Sequence, residues 1–351
     1  MKVRLPVRKA ILERKTYEAP AEGRWGKIRL DFNENTTGCS EAARRALRNL
    51  SGKKLAMYPE YQAPVKILAK YFGVKAEELL LTNGGDDALR VFFDTFVEPG
   101  SHILICEPTF PMYRYYAEIA GARVEMLKYS REMEFPLATV LKALRKRPRV
   151  FFLANPNNPT GTLVEKGAIK AILKAAPRTV VVLDEAYADF SGVTVVPWIR
   201  RYANLFIAKT FSKAAGLAGL RLGAVIAQRE SLAWVSRAMP PFPVNAAAIA
   251  AGVAAVGERK TIELYIRETK RLREWFADEL KQRRVRAFPS EGNFLLADFG
   301  GAGPALFRKL TGHGILIRER SKDLGPGFAR IAIGTKKELR SILRILDRSD
   351  R

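Results

Sequence analysis

One short stretch combines residue types that could hold an anion and attack a carbonyl. It runs from Thr210 to Gly223 and reads TFSKAAGLAGLRLG. Its hydroxyls, among them Ser212, and its single arginine, Arg221, suit a phosphate group. A lysine held beside such a group, here Lys213, can act as a nucleophile toward a carbonyl. Taken alone, the stretch fits a glycine-rich loop with a solvated lysine better, because short motifs often match by chance.

Other polar residues supply what such a site would need. Asp184 ends the apolar run VVVLD, where a carboxylate is costly unless it is paired, and a protonated pyridine nitrogen is one such partner. Tyr187 follows three residues later and could reach the same ligand. The rigid turn NPNNPTG presents Asn158 before a proline, and the predicted helix start at Gly85-Asp86-Asp87 can bind a phosphate. Together with Lys213 as the amine, these features describe a site for pyridoxal phosphate.

Apolar segments precede these motifs and are predicted to be strands. They are apolar on both faces and alternate with helical segments, which is typical of a parallel sheet covered by helices. We therefore predict an α/β, doubly wound fold, whose ligands bind beyond the carboxyl ends of the strands. The predicted strands cover residues 78–82, 102–106, 123–128, 150–153, 180–183, 205–208 and 222–227. Helices are predicted over residues 41–50, 63–72, 88–96, 137–145 and 168–175.

The pattern changes after the proline-rich segment PPFP at residues 240–243. Long helices are predicted at 246–256 and 261–283, then strands at 293–298, 315–318 and 328–333 and a closing helix from Lys337. We predict three parts: an N-terminal arm over residues 1–30, a large domain over 31–245 and a smaller α+β domain over 246–351.

The 351 residues carry a formal net charge of +24, which favours anionic partners such as nucleic acid or phosphorylated small molecules. The cations are spread along the chain without a nucleic-acid-binding motif, so we expect a solvated basic surface and no nucleic-acid partner. Two cysteines, Cys39 and Cys106, and no charge-free run of membrane-spanning length predict a cytoplasmic protein without disulfides or a membrane span. His102 and His313 lie far apart, which argues against a zinc site.

The motifs NPNNPTG, DEAY and TFSKAAGLAGLRLG, in this order and spacing, resemble the fold-type I pyridoxal-phosphate aminotransferases. LDFNEN, MYPE, TNGGDDAL, PTFPMY and ARIAIGT resemble the histidinol-phosphate aminotransferases within that family. The resemblance covers the chain from Tyr17 to Thr335. It implies transfer of an amino group between L-histidinol phosphate and 2-oxoglutarate in histidine synthesis.

The resemblance also implies a role for each matching residue around the cofactor. Lys213 would form the Schiff base and move the substrate proton, and Asp184 would keep the pyridine nitrogen protonated. Asn158 and Tyr187 would hold the ring oxygen. Phe110 would stack on the ring, with Tyr113 as a rival for that place. The residues implied to hold the phosphate are Gly85, Asp86, Asp87, Thr210, Ser212 and Arg221, although Asp87 stands where a glutamate is common.

Further residues match positions at the substrate and at the subunit boundary. Tyr58 resembles a tyrosine that reaches the cofactor phosphate of the neighbouring subunit, which implies a homodimer. Arg330 matches the arginine that binds the substrate α-carboxylate, and Arg318 and Tyr17 match residues near the substrate phosphate. Thr36-Thr37 replaces the proline usual after the NEN motif, near the substrate entrance.

Three alternatives stay open. Two are enzymes of the same fold, an aromatic amino-acid aminotransferase and a threonine-phosphate decarboxylase. The third is a nucleic-acid-binding protein on the same scaffold, which would explain the charge but leave Lys213 and Asp184 without a role.

Overall fold

The computed structural model describes residues 5–12, 14, 16 and 22–348. Its strands are β1 (Ile28–Leu30), β2 (Leu79–Thr82), β3 (His102–Glu107), β4 (Arg123–Lys128), β5 (Val150–Ala154), β6 (Val180–Asp184), β7 (Leu205–Thr210), β8 (Gly223–Ile226), β9 (Arg286–Ala287), β10 (Phe294–Asp298), β11 (Ile315–Glu319) and β12 (Phe328–Ala332).

The helices of the first half are α1 (Lys9–Leu12), α2 (Glu41–Arg48), α3 (Gly52–Ala56), α4 (Gln62–Phe72), α5 (Gly84–Phe96), α6 (Met112–Ile119), α7 (Leu137–Leu144) and α8 (Lys166–Ala175). Those of the second half are α9 (Ala188–Ser191), α10 (Arg229–Arg237), α11 (Ala246–Gly257), α12 (Arg259–Gln282), α13 (Gly303–Gly312), α14 (Ser321–Leu324) and α15 (Lys336–Asp347).

Seven strands form the larger sheet, in the order β2-β8-β7-β6-β5-β3-β4. Strands β4, β3, β5, β6 and β7 pair in parallel, whereas β8 is antiparallel to both of its neighbours. All five residues of β5, VFFLA, are buried, as expected for a strand covered on both faces. The predicted α/β fold with a mostly parallel sheet is therefore confirmed.

The smaller sheet has the order β1-β11-β12-β10-β9 and is antiparallel except for the β1–β11 pair. Its core packs against α12, α13 and α15 through residues such as Phe276, Leu310 and Leu343. Strand β1 comes from the segment predicted to be an extended arm, so the end of that arm is part of this sheet. A strand of only three residues is too short for its alternating pattern to identify it in the sequence.

The predicted helices and strands occur within a few residues of their expected places. Helix α2 begins after Ser40, whose side chain accepts a hydrogen bond from the Ala43 N–H, and α4 ends at Gly73, whose φ of 73° is left-handed. The described helices that were not predicted are α1, α3, α6, α9, α10, α13 and α14.

The boundary predicted at residues 245–246 stays a prediction. Helix α11 lies just beyond it, and its Ala248, Ala251 and Ala255 are buried in the hydrophobic core around the larger sheet. Within the described part of the chain, no helix is both long enough and apolar enough to cross a membrane.

Candidate active site

A cavity of about 350 Å³ lies at the carboxyl ends of β5, β6 and β7 and at the start of α5. Ten of the residues predicted to bind the cofactor line it: Gly85, Asp86, Phe110, Asn158, Asp184, Tyr187, Thr210, Ser212, Lys213 and Arg221. The walls also include Phe32, Glu34, Tyr113 and Lys209. Motifs from several strand ends therefore meet in one place, as the doubly wound fold predicts.

Asp184 lies on the cavity wall at the end of β6. Its Oδ2 accepts a hydrogen bond from the Tyr113 hydroxyl at 2.7 Å, and its Oδ1 accepts one from the Ala186 N–H at 3.0 Å. Burial raises the pKa of the Asp184 carboxyl, while these hydrogen bonds and the charge of Lys213 act in the opposite direction. A cationic N–H in the cavity would stabilise the charged carboxylate here.

Lys213 is half-buried between the buried residues Ser212 and Ala214. Its Nζ donates a hydrogen bond to the Phe32 carbonyl at 2.9 Å and lies 5.7 Å from the centre of the Tyr187 ring. The amine thus lies close to Tyr187, and among the described residues the Phe32 carbonyl is its hydrogen-bond partner, a contact that it can exchange for a bond to a ligand.

The anion-binding groups gather at the amino terminus of α5. The Thr210 hydroxyl donates to Ser212 Oγ at 2.9 Å, and Arg221 Nη2 lies 2.9 Å from an oxygen of Asp86. Arg221 itself has a left-handed φ of 55°. Two hydroxyls, a guanidinium and a helix amino terminus of this kind suit a phosphate dianion.

Two glycines let Arg221 approach the start of α5. A Cβ atom on Gly84, whose φ is +80°, would lie 2.5 Å from Arg221 Nη2. A Cβ atom on Gly223 would lie 2.5 Å from the Gly84 carbonyl carbon. Larger residues at these two positions would displace either the arginine or the backbone of the helix start.

Tyr187 and Asn158 are held by side chains from distant parts of the chain. Asn33 Nδ2 donates to the Tyr187 hydroxyl at 3.0 Å, and Arg330 Nη1 donates to Asn158 Oδ1 at 2.5 Å. Arg330 also donates to the Asp31 carbonyl. Burial lowers the pKa of the Arg330 guanidinium, and its Nε has no partner among the described residues. Arg330 therefore reaches the site through Asn158, and its Nε–H is still without a partner.

The rim of the cavity is built around Phe32. The guanidinium carbon of Arg24 lies 4.0 Å from the centre of the Phe32 ring, and that of Arg318 lies 6.0 Å from it. Glu34 accepts hydrogen bonds from Arg24 at 2.8 Å and from Arg29 at 3.1 Å. The predicted substrate residue Arg318 therefore stands beside the cavity wall rather than in it.

Three other predicted residues lie elsewhere. Asp87 accepts a hydrogen bond from the Asn83 N–H and two from Arg90, so it supports the start of α5 outside the cavity. Tyr58 is 78% exposed and stacks on Phe242 with 4.4 Å between ring centres. Tyr17 lies outside the described residues.

Several residues of the site had no role in the sequence-based prediction. Phe32, Asn33 and Glu34 belong to LDFNEN, a motif used only as a sign of family. Tyr113 was considered for stacking on the ring, but it is fully buried and bonded to Asp184. Lys209 lies one residue before the TFSK run and forms a buried ion pair with Glu185 at 2.6 Å. Membership of a motif was the available signal for the other four residues, and a position next to a motif was the signal for Lys209.

The sequence model of the family "Aminotransferase class I and II" matches residues 26–346. The chain belongs to this family, whose members depend on pyridoxal 5'-phosphate, and it is an aminotransferase with a fold-type I architecture.

Individual relatives are similar over most of their length. The histidinol-phosphate aminotransferase of Bacillus subtilis (strain 168) is 34% identical over 326 residues, which are 91% of this chain and 90% of that protein. The crystal structure of the histidinol-phosphate aminotransferase from Clostridium acetobutylicum is 25% identical, with a TM-score of 0.85 over 92% of this chain and 99% of that one. The enzyme of the same name from Sinorhizobium meliloti, in complex with pyridoxal-5'-phosphate, shares the fold with a TM-score of 0.90 at 23% identity, covering 99% of this chain and 98% of that one.

Proposed function

We propose that this aminotransferase moves an amino group between L-histidinol phosphate and 2-oxoglutarate in histidine synthesis. The observation that carries the proposal is the arrangement of Lys213, Asp184 and Arg221 along one cavity, with two further arginines, Arg318 and Arg330, at its outer side. The names of the relatives support the choice of substrate.

The residues present fit pyridoxal phosphate. Arg221, Thr210, Ser212 and the start of α5 suit its phosphate, and the buried carboxylate of Asp184 suits a protonated ring nitrogen. When bound, the cofactor supplies an aldehyde carbon that reacts with amines and a ring that withdraws electrons. Phe110 lies in the cavity wall with its ring edge-on to Tyr113, at 5.9 Å between centres, and would pack against the cofactor ring.

Each catalytic side chain has one task. Asp184 keeps the ring nitrogen protonated, because a desolvated carboxylate prefers a cation as its neighbour. Tyr187 and Asn158 orient the ring oxygen through hydrogen bonds. Lys213 would hold the cofactor through its Nζ, and as a free amine it would accept the proton of the substrate α-carbon and donate it again.

The two outer arginines serve both substrates in turn. Histidinol phosphate has a phosphate and no carboxylate, whereas glutamate has two carboxylates and no phosphate. Arg318 and Arg330, together with Tyr17, bind whichever anion is present, and a guanidinium suits both because it offers two parallel donors. Within the described part of the chain, Arg330 Nε has no hydrogen-bond partner, which leaves it for this purpose.

The active form is a homodimer in which Tyr58 contacts the cofactor phosphate of the other subunit. Support comes from neighbouring large apolar side chains that are exposed, since Leu55, Met57 and Tyr58 are 60%, 59% and 78% exposed and Phe242 is 47% exposed. Exposed apolar patches of this kind are typical of protein–protein interfaces. Analytical ultracentrifugation tests this, and a fully active monomer would contradict it. The enzyme works in the cytoplasm, in keeping with its unpaired cysteines.

The test of substrate choice is a panel of amino donors with the purified holoenzyme. Histidinol phosphate, phenylalanine, tyrosine and threonine phosphate are compared by kcat/KM with 2-oxoglutarate as acceptor. The proposal expects histidinol phosphate to be preferred. A preference for phenylalanine or tyrosine would indicate an aromatic aminotransferase. Release of carbon dioxide from threonine phosphate would indicate a decarboxylase. A protein without a cofactor absorption band would not be an enzyme of this kind at all.

A further inference from the structure

Asn33 is a fully buried polar residue that contacts a side chain of the active site. It follows β1 in the LDFNEN motif, and its Nδ2 donates a hydrogen bond to the Tyr187 hydroxyl at 3.0 Å. The two residues are 154 positions apart in the sequence. Because Tyr187 lines the cavity and Asn33 lies behind it, Asn33 contacts the site through Tyr187.

The position of Asn33 is held by its surroundings. Its φ of 54° is left-handed, a conformation that asparagine tolerates better than most residues. Its carbonyl accepts a hydrogen bond from Asn293 Nδ2 at 3.1 Å, and Asn293 is itself fully buried at the start of β10. The smaller sheet thus holds the residue that contacts Tyr187.

Asn33 is the donor of this hydrogen bond and the Tyr187 hydroxyl is the acceptor, which affects what the hydroxyl itself can donate. A phenol oxygen that accepts a hydrogen bond still has its own proton to donate. Hydrogen bonds in a chain polarise one another, so a phenol that accepts one is a stronger donor. Tyr187 is 7% exposed, and its hydroxyl has no hydrogen-bond acceptor among the described residues. Its proton is therefore available to a group in the cavity.

We propose that Asn33 is a positioning residue that directs the Tyr187 proton into the cavity and strengthens it as a donor to the cofactor ring oxygen. The inference rests on the proposed role of Tyr187 toward that oxygen. Asn33 does not touch the reacting atoms, and its effect passes through Tyr187 alone.

The test is a spectrophotometric pH titration of the holoenzyme, which follows the absorption band of the cofactor bound to Lys213. A hydrogen-bond donor at the ring oxygen favours the deprotonated form of the bound cofactor, because this oxygen then carries the full negative charge. Weakening that donor should raise the pH midpoint of the transition by about half a unit to one unit, the usual worth of one hydrogen bond.

Asn33→Gly is the first variant, because glycine accepts the left-handed φ without strain. Asn33→Asp is the second variant. Aspartate keeps the shape of asparagine, but it replaces the amide donor by an oxygen that can accept a hydrogen bond from Tyr187. Both should raise the midpoint. Asn204→Ala is the matched control, since Asn204 Nδ2 donates to the Ala176 and Thr179 carbonyls, each at 2.8 Å, away from the cavity. It should leave the midpoint unchanged.

A double-mutant cycle with Tyr187→Phe separates positioning from a general structural effect. In the Tyr187→Phe background, Asn33→Gly should no longer change the midpoint, because the hydroxyl through which it acts is gone. An Asn33→Gly enzyme that binds cofactor and titrates like the wild type would overturn the inference, and so would a shift that persists in the Tyr187→Phe background. A wild-type protein that shows no cofactor band would instead refute the proposed function.

Discussion

The inner and outer ends of the cavity are built by different parts of the fold. At the inner end, Asp184 closes β6 and Ser212 follows β7, so both depend on the order of strands within the larger sheet. At the outer end, Phe32 follows β1 and faces Arg318 on β11, and both of these strands belong to the smaller sheet. Contacts between the two ends, such as that of Arg330 with Asn158, span 172 residues.

This difference has a consequence for function. In the proposed function, the inner end binds the cofactor, which takes part in both half-reactions, so changes there should affect every substrate alike. The outer end is proposed to bind the parts in which substrates differ, so changes there should alter the choice among them. Each experiment below tests whether the two ends can be separated in this way, beginning with the largest expected effect.

Replacing Lys213 should have the largest effect. Lys213→Ala removes the amine that holds the cofactor and moves the proton, so turnover should fall about a thousandfold or more with every donor. The absorption band of the lysine-bound cofactor should also be absent. Lys174→Ala, at an exposed position of α8, is the matched control. Substantial turnover in Lys213→Ala would remove this lysine from its proposed role.

Asp184→Ala should cause the second-largest loss of turnover. It removes a charged hydrogen-bonding partner of the ring nitrogen, worth about 1.5–3 kcal/mol, so kcat should fall about ten- to a hundredfold. The fall should be similar for histidinol phosphate and phenylalanine, and Asp184→Glu should lose less. Asp94→Ala serves as control because Asp94 pairs with Arg90 on the surface. Near-normal turnover of Asp184→Ala would mean that another group holds the ring nitrogen.

Arg318→Leu tests the outer end. Losing one charged donor to the substrate phosphate costs about 1.5–3 kcal/mol, so KM for histidinol phosphate should rise on the order of ten- to a hundredfold. KM for phenylalanine, which has no phosphate, should change far less. Arg308→Leu, at an exposed position of α13, controls for the loss of a positive charge. Equal losses with both donors would show that Arg318 supports the shared architecture and that the two ends are not separable.

Gly84→Ala tests the inner end by a smaller change. The added Cβ would lie 2.5 Å from Arg221 Nη2, at a φ of +80°, so the arginine must move away from the phosphate position. Cofactor affinity, measured by fluorescence titration of the cofactor-free protein, should fall about tenfold. Gly167→Ala in α8 has nothing within 4 Å of its new Cβ and should bind cofactor normally. Unchanged affinity in Gly84→Ala would show that Arg221 does not need this close approach.

The inner end could largely be predicted from the sequence. Each of its motifs directly follows an apolar strand, and the carboxyl ends of parallel strands meet at one edge of a sheet. Lys213, Asp184, Asn158 and Arg221 therefore had to lie close together once the strands were recognised. The family resemblance added the role of each of them.

The outer end could not be predicted in the same way. Strand β1 has three residues, and its pairing with β11 brings together segments almost 300 positions apart, which no local pattern reveals. The resemblance named Arg318 as a substrate residue, but its place beside Phe32 follows only from the arrangement of the smaller sheet.

The sequence alone determined the fold class, the cofactor and the residues of the inner end, because apolar periodicity and strand-end motifs are local properties of the chain. The tertiary structure decided which neighbours those residues have. Phe110 and Tyr113 are three positions apart, and only packing places the Tyr113 hydroxyl on Asp184 while Phe110 faces the cavity. The Asn33 contact with Tyr187 likewise exists only because the smaller sheet closes on the larger one, since a hydrogen bond depends on distance in space and not on order along the chain.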